Sequence, residues 1–193
     1  AGAVRAVGID LAALMEPASL IATAPAEYRV RFATTAGAIV VAVERSLAPR
    51  AADRFFNLVR HGFFDDQRYF RVVRGRLVQF GLHSAPEIAS RWYEETIPDD
   101  PRVASNVRGT LTFATGAGAD SRTTQIFINL ADNADFDRQG FVPFARVVSG
   151  IKAAELINGE YGELPEQNRI LAEGGEYLDR FFPALDRIVE ARL

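Results

Sequence analysis

The feature that most constrains the fold is a series of short apolar segments, separated by loops rich in glycine, proline, aspartate and asparagine. The segments have the β-branched and aromatic content of strands, and the first alternates Tyr28, Val30 and Phe32 with arginines. The predicted strands are 28–32, 39–43, 69–73, 77–80, 110–114, 125–130, 143–148 and 188–190. Short strands of this kind bury one another most readily in an antiparallel sheet, which makes the predicted fold mainly β.

Three segments carry helical signals instead. The clearest helix begins at Pro49, has apolar residues at the i, i+3, i+4 and i+7 positions of a buried face, and ends at Gly62. A second is predicted from about 149 to 158, and a third from about 166 to 182, which Gly174-Gly175 weakens. The stretches 83–106 and 115–123 are predicted as loops, with His83 exposed to solvent.

These elements predict one domain, because no internal repeat, low-complexity tract or linker divides the chain. We place this domain at residues 26–193 and an N-terminal extension, with a short helix ended by Pro17, at residues 1–25. Many short strands with two or three helices predict a closed antiparallel barrel whose ends are capped by helices.

Composition excludes several classes of function. The chain has no cysteine, which removes disulfides, cysteine-ligated zinc, iron–sulfur clusters and thiol catalysis. Its formal net charge of −3 gives no general attraction for nucleic acid, and no apolar run approaches the roughly 20 residues of a membrane-spanning helix. The two histidines form no credible metal pair, and the aspartates at 132–137 lack the glycine and glutamate of an EF-hand. We therefore expect no metal and no other cofactor.

Three predicted strands each combine one apolar face with one mixed face, because alternate residues of a strand point the same way. The mixed faces carry Arg71 with Tyr69 and Val73, Gln79 with Leu77, and Gln125 with Phe127 and Asn129. An apolar groove with a few polar groups is typical of a ligand site. The same pattern also fits a barrel exterior with scattered hydrophobic residues, and periodicity alone gives the two interpretations about equal weight.

The order of four motifs carries a family resemblance. Residues 69–81 read YFRVVRGRLVQFG, residues 108–114 read RGTLTFA, residues 121–129 read SRTTQIFIN, and residues 140–147 read GFVPFARV. In this order and at this spacing they resemble the signatures of the cyclophilins. The resemblance covers about residues 28–157, and the later segments 161–163 and 177–186 are similar to those of a bacterial subgroup.

The resemblance implies an eight-stranded antiparallel barrel with two main helices and N- and C-terminal extensions. It also implies peptidyl-prolyl cis-trans isomerase activity in protein folding, without metal or cofactor. The catalytic residues it implies are Arg71, Gln79 and Phe127. The substrate-binding residues it implies are Leu77, Arg76, Ala114, Thr115, Gln125, Phe136 and Phe141.

Two residues depart from the family pattern inside this implied site. Arg76 stands where the family has a phenylalanine that lines the proline pocket, and Asp135 stands where an aromatic residue contacts the macrocyclic inhibitor cyclosporin. Arg76 either packs its stem along the pocket with its head in solvent, or pairs with a carboxylate such as Asp135. We expect activity on proline peptides together with weak cyclosporin binding.

The expected partners are proline-containing polypeptides, with no nucleic acid and no membrane insertion, and the expected oligomeric state is a monomer. A periplasmic or secreted bacterial location is favoured over the cytoplasm. The alternative function is that of a catalytically weak cyclophilin fold, which serves as a binding module for proline-containing segments.

Overall fold

The computed structural model describes residues 8–193, and its strands form one antiparallel sheet. The strands are β1 (Glu27–Thr34), β2 (Gly37–Glu44), β3 (Gln67–Arg68), β4 (Arg71–Val73), β5 (Leu77–Phe80), β6 (Thr110–Phe113), β7 (Ile126–Asn129), β8 (Pro143–Ser149) and β9 (Arg187–Arg192). The helices are α1 (Leu11–Leu14), α2 (Pro49–Arg60), α3 (Pro86–Tyr93), α4 (Ala134–Arg138), α5 (Ile151–Leu156), α6 (Gln167–Glu173) and α7 (Gly175–Phe181). Two short 3₁₀ turns, Pro17–Ser19 and Arg45–Leu47, complete the described elements.

The sheet curls until its two ends meet. The strand order is β3-β9-β1-β2-β8-β6-β7-β5-β4, and the end strands β3 and β4 are separated in the chain only by Tyr69 and Phe70. The prediction of a mainly β, antiparallel barrel is therefore confirmed, with nine strands in place of eight. The additional strand arises because the region predicted as one strand, 69–73, contains a break, and two short strands, β3 and β4, lie on either side of that break.

The break between β3 and β4 makes the prediction for the orientation of the Tyr69 side chain wrong. This side chain does not share the face of Arg71: it is buried in the barrel core, with its ring 5.4 Å from that of Phe80. Phe70 packs instead in a separate apolar cluster with α6 and α7. Alternation holds only along unbroken strand geometry, and the two residues between β3 and β4 leave that geometry.

The barrel core is filled by aromatic and β-branched side chains. Helix α2 buries one face in it, where the ring of Phe55 lies 5.1 Å from that of Phe144 on β8. The N-terminal helix α1 adds Leu14, whose carbonyl accepts the indole N–H of Trp92 at 2.9 Å. Residues 1–7 of the predicted extension lie outside the described residues.

The predicted third helix is divided in two. Gly174 separates α6 from α7 with a φ of +64°, and a Cβ at this position would lie 2.2 Å from the carbonyl oxygen of Ser84. Only glycine combines this backbone conformation with so close an approach. The two helices pack on Phe70, so they cover the outside of the barrel near β4.

The stretch predicted as a loop over 83–106 contains the helix α3. Its apolar residues Ile88, Ala89 and Trp92 are buried, and this burial stabilises a helix too short for a clear periodic pattern. His83 is buried as well, with 3% of its surface exposed, so the prediction of a solvated histidine is wrong. Between residues 8 and 193, no helix combines the length and the apolar content needed to cross a membrane.

Candidate active site

The site is built on a row of paired residues across three strands. Arg71 on β4 pairs with Gln79 on β5, and Gln79 pairs with Phe127 on β7. Directly paired residues of antiparallel strands point to the same side of the sheet, so these three side chains share one face. On that face Leu77 lies two residues from Gln79 and is paired with Val73.

An apolar pocket adjoins this row. Leu77, Phe127 and Phe136 form a buried cluster that is separate from the barrel core, and Phe141 packs against it. The rings of Phe127, Phe136 and Phe141 lie 5.3–5.5 Å from one another in edge-to-face contact. These aromatic rings form the wall and floor of a cleft of about 500 Å³. Such a cleft suits a compact apolar ring.

The aromatic wall is held by a buried polar network behind it. The side-chain N–H₂ of Asn106 donates to Asp137 Oδ1 at 2.7 Å and to the carbonyl oxygen of Phe141 at 3.0 Å. Burial alone raises the pKa of Asp137, but the hydrogen bonds from Ser105 and Asn106 outweigh it and hold the pKa below its ordinary value. The carboxylate of Asp137 therefore stays ionised, and its hydrogen bonds hold the segment 136–141, which begins with Phe136 and ends with Phe141.

Polar side chains follow the row in a continuous chain of hydrogen bonds. Arg71 Nη1 donates to Gln79 Oε1 at 3.0 Å, and Gln79 Nε2 donates to Gln125 Oε1 at 2.8 Å. Gln125 Nε2 then donates to Gln167 Oε1 at 3.1 Å. At the other end, Arg71 Nε donates to Glu163 Oε1 at 2.7 Å. The side chain of Arg71 is 35% exposed and lines the cleft, so its guanidinium group is accessible to a ligand.

All of the residues predicted for the site lie together. The cleft is lined by Arg71, Arg76, Leu77, Gln79, Ala114, Thr115, Phe127, Phe136 and Phe141. Gln125 lines an adjoining cleft of about 310 Å³, which shares Gln79, Ala114 and Thr115 with the first. Of the two arrangements considered for Arg76, the structure has the ion pair with Asp135.

Four residues that line the cleft were not predicted as site residues: Val73, Gln139, Glu163 and Gln167. Glu163 and Gln167 lie after α5 in the chain, and Gln167 is the first residue of α6. The only signal in the sequence for Glu163 was the motif at 161–163, which indicated a bacterial subgroup but did not indicate where in the fold these residues lie. Among residues 8–193 no cluster of three or more histidine, aspartate or glutamate side chains is arranged to hold a metal ion.

Comparison with protein families gives a match over most of the chain. A model described as "Cyclophilin type peptidyl-prolyl cis-trans isomerase/CLD" matches residues 29–173. Peptidyl-prolyl cis-trans isomerase A of Dickeya dadantii is 31% identical over 173 residues, which cover 81% of this chain and 91% of the relative. Peptidyl-prolyl cis-trans isomerase B of Escherichia coli is 31% identical over 138 residues, which cover 67% and 84% of the two chains.

Solved structures show the same fold. A cyclophilin type isomerase of Cryptosporidium parvum, determined in the presence of the dipeptide Ala-Pro, has a TM-score of 0.64 at 16% identity and covers 86% of this chain and 98% of its own. Cyclophilin AquaCyp293 from Hirschia baltica has a TM-score of 0.64 at 16% identity, with coverage of 88% and 75%.

Proposed function

The chain belongs to the cyclophilin family and is a peptidyl-prolyl cis-trans isomerase, and from this premise we propose that Arg71 is the residue that stabilises the twisted amide. Rotation about an X-Pro bond is opposed by amide resonance, which gives a barrier of about 18–20 kcal/mol for peptide bonds. In the twisted state the proline nitrogen becomes pyramidal and gains a localised lone pair. A fixed cation with N–H donors beside that nitrogen stabilises the twisted state more than the planar one.

Arg71 suits this role because an arginine stays protonated at any working pH and presents several donors in a rigid plane. Glu163 and Gln79 already accept hydrogen bonds from Nε and Nη1, which leaves further guanidinium N–H groups for a substrate. The mechanism needs no nucleophile and no general base. Rotation about a bond transfers no atom, so Arg71 acts by electrostatic stabilisation alone.

The apolar cluster is the binding pocket for the proline ring in this proposal. Phe127, Leu77 and Phe136 are buried in contact with one another, and the cleft opens above them beside Arg71. A proline ring seated here loses apolar surface to water, which favours binding by roughly 25 cal/mol per Å². The ring is thereby fixed while the residue before proline turns, and this is the motion that the catalyst has to guide.

Gln79, Gln125 and the backbone of Ala114 and Thr115 bind the substrate residues before proline. Gln79 stands between Arg71 and Gln125 in the hydrogen-bonded chain, so it also holds the guanidinium group in place. The adjoining cleft beyond Gln79 gives the preceding residue a place to lie. Proline-containing polypeptides are the substrates that this arrangement favours, and a monomeric state and a periplasmic or secreted location stay predictions.

The observation that carries the proposal is the position of Arg71 in strand register with Gln79 and Phe127, at the mouth of the apolar pocket. A protease-coupled assay on a short X-Pro peptide tests it. Arg71→Ala should lower kcat/KM by about 10²–10³-fold, the usual effect of losing a preorganised donor to the transition state. Arg29→Ala, at an exposed arginine of β1, is the matched control and should change little.

An Arg71→Ala protein that folds normally and turns over the peptide at the wild-type rate would refute the role of Arg71. A wild-type protein that binds the peptide without turning it over would instead favour the alternative, a binding module for proline-containing segments. Circular dichroism of the wild-type protein and of the variant separates both results from a failure to fold.

A further inference from the structure

The segment 159–167, called here the rim segment, is fastened along the edge of the sheet beside Arg71. The backbone N–H of Val72 donates to the carbonyl oxygen of Gly162 at 3.0 Å, so the segment is bonded to the outer edge of β4. At Gly159 a Cβ would lie 3.0–3.1 Å from side-chain atoms of Arg74 and Val72. The absence of a side chain there lets the rim segment approach the strand closely.

The rim segment is also anchored on the side away from the strand. The ring of Tyr161 packs at 5.2 Å on that of Phe182, and its hydroxyl accepts the backbone N–H of Ala184. The N–H of Glu166 donates to the hydroxyl of Tyr177 on α7 at 3.2 Å. Contacts on both sides give residues 161–166 a defined position, so Glu163 is presented by a fixed backbone rather than by a free loop.

Glu163 closes the hydrogen-bonded chain of the site at its arginine end. A single oxygen, Oε1, lies 2.7 Å from Arg71 Nε and 2.5 Å from Arg71 Nη2, while Gln79 holds Nη1 from the other side. Gln167 closes the opposite end of the chain at Gln125. The two ends of the polar row thus come from one short segment of the chain.

We propose that Glu163 is a positioning residue for Arg71, and the proposal rests on the catalytic role proposed for that arginine. An arginine side chain has several rotatable bonds, and restraint from Gln79 alone fixes only one of its terminal nitrogens. Glu163 restrains Nε and Nη2, which sets the plane of the guanidinium group. A donor group that is fixed before the substrate arrives requires no reorganisation in the transition state.

The charge of Glu163 has an opposing effect, which is the smaller of the two. A carboxylate beside the guanidinium group offsets part of the field at the proline nitrogen. The side chain of Glu163 is 59% exposed, however, and solvent screens charge interactions at such exposure. Orientation is not screened in this way, and a displacement of about 1 Å in a catalytic group can lower a rate by up to about 10²-fold. Removal of Glu163 should therefore slow the enzyme.

The experiment is a double-mutant cycle on kcat and KM in the peptide assay. Glu163→Ala should lower kcat/KM by about tenfold, mainly through kcat, because the loss lies in the alignment of a transition-state donor. Glu163→Gln keeps an oxygen that can accept from Nε and should lose less. In an Arg71→Lys background, which lacks the Nε donor, Glu163→Ala should have no further effect. Glu160→Ala, an exposed glutamate of the same rim segment, is the control.

Four results would overturn the inference. Glu163→Ala could leave kcat/KM unchanged, or raise it as expected if charge compensation dominated. It could also cause the same loss with and without the arginine, which would indicate a role independent of Arg71. If Arg71→Lys and Arg71→Ala both kept the wild-type rate, the role of Arg71 would fail first and the inference with it. Thermal unfolding of each variant separates lost alignment from lost stability.

Discussion

Arg76 Nη2 lies 2.5 Å from Oδ2 of Asp135, and the guanidinium carbon lies 4.6 Å from the centre of the Phe136 ring. The side chains of Arg76 and Asp135 are 43% and 39% exposed, so solvent screening limits the ion pair to about 1 kcal/mol. Two unusual residues of the site therefore compensate each other. The charge of Arg76 is balanced at the edge of the apolar pocket while its guanidinium group covers one face of Phe136.

Replacement of Arg76 by phenylalanine should raise activity. The ion pair contributes little to stability at this exposure, and a phenyl ring adds apolar surface to the pocket proposed for the proline ring. We expect Arg76→Phe to raise kcat/KM about two- to fivefold in the peptide assay. The control is Arg138→Phe, which adds the same ring on the exposed side of α4 and should leave the rate unchanged. A fall in rate for Arg76→Phe would mean that the arginine itself contacts the substrate.

Asp135 should make the enzyme a poor cyclosporin binder. An apolar macrocycle gains affinity by burying surface against aromatic walls, and a carboxylate removes that area and adds a desolvation cost, together about 2–4 kcal/mol. Asp135→Trp should therefore tighten cyclosporin binding by about 30- to 1000-fold in a calorimetric titration. Asp135→Ala, which frees Arg76 without adding an aromatic ring, should give much less. Nanomolar binding by the unmodified protein would contradict the assignment of Asp135 to the inhibitor wall.

The buried histidine should make stability depend on pH. Burial lowers the pKa of His83 to about 4, because the ring lies against Phe63 and has only 3% of its surface exposed to water. The Nδ1 atom accepts the N–H of Ala85 at 3.0 Å. The unfolded chain takes up a proton near the ordinary pKa of about 6.5, whereas the folded chain does so only near 4. The free energy of unfolding should thus fall as pH decreases from about 6.5 to 4, by up to about 3 kcal/mol.

Urea unfolding at several pH values measures this effect. His83→Asn offers an oxygen near the position of Nδ1, so it can accept the same N–H without titrating. The variant is smaller and should be less stable at neutral pH, yet its free energy of unfolding should change less between pH 6.5 and 4. Identical pH dependence in both proteins would show that carboxylates alone cause the slope.

A buried ion pair beside the site should be a strong determinant of stability. The side chains of Asp100 and Arg122 are 1% and 2% exposed and lie 3.1 Å apart. Asp100 also accepts the backbone N–H groups of Arg50 and Ala51 at the start of α2. Asp100→Ala removes this helix cap and leaves the buried Arg122 with only the partly exposed Asp99 as a charged partner, so the free energy of unfolding should fall by about 3–5 kcal/mol.

The double variant Asp100→Ala, Arg122→Met tests that explanation. Without the arginine no buried charge remains, so the double variant should be more stable than Asp100→Ala alone. Chemical denaturation of both single variants and of the double variant gives the coupling. Strictly additive losses would mean that the cap, rather than the buried charge, is responsible.

The sequence allowed the central row of the site to be predicted because it lies on regular strands. Along β5 and β7 one face is wholly apolar, so the face that carries Gln79 and Phe127 had to be the other one. The same reasoning failed at Tyr69, because a break in the strand reverses the order of faces and nothing in the local pattern marks it.

Site residues outside the strands could not be predicted in the same way. Glu163 lies 92 residues from Arg71 in the chain, and Gln167 lies 42 residues from Gln125. Their positions depend on how α6, α7 and the rim segment pack on the barrel, which no period of two or 3.6 encodes. The helix α3 and the burial of His83 were missed for a related reason, since both depend on contacts with distant segments.

The position of β9 between β3 and β1 in the sheet has a consequence for folding during translation. Asp65, just before β3, accepts the N–H of Ala191 on β9, and 126 residues separate the two. A nascent chain can form the β1–β2 hairpin early, but the sheet stays open along one seam until residue 192 has left the ribosome. Until then the edges of β1 and β3 lack their partner and are open to pairing with other chains. This prolyl isomerase therefore completes its own barrel only after translation has passed its last strand.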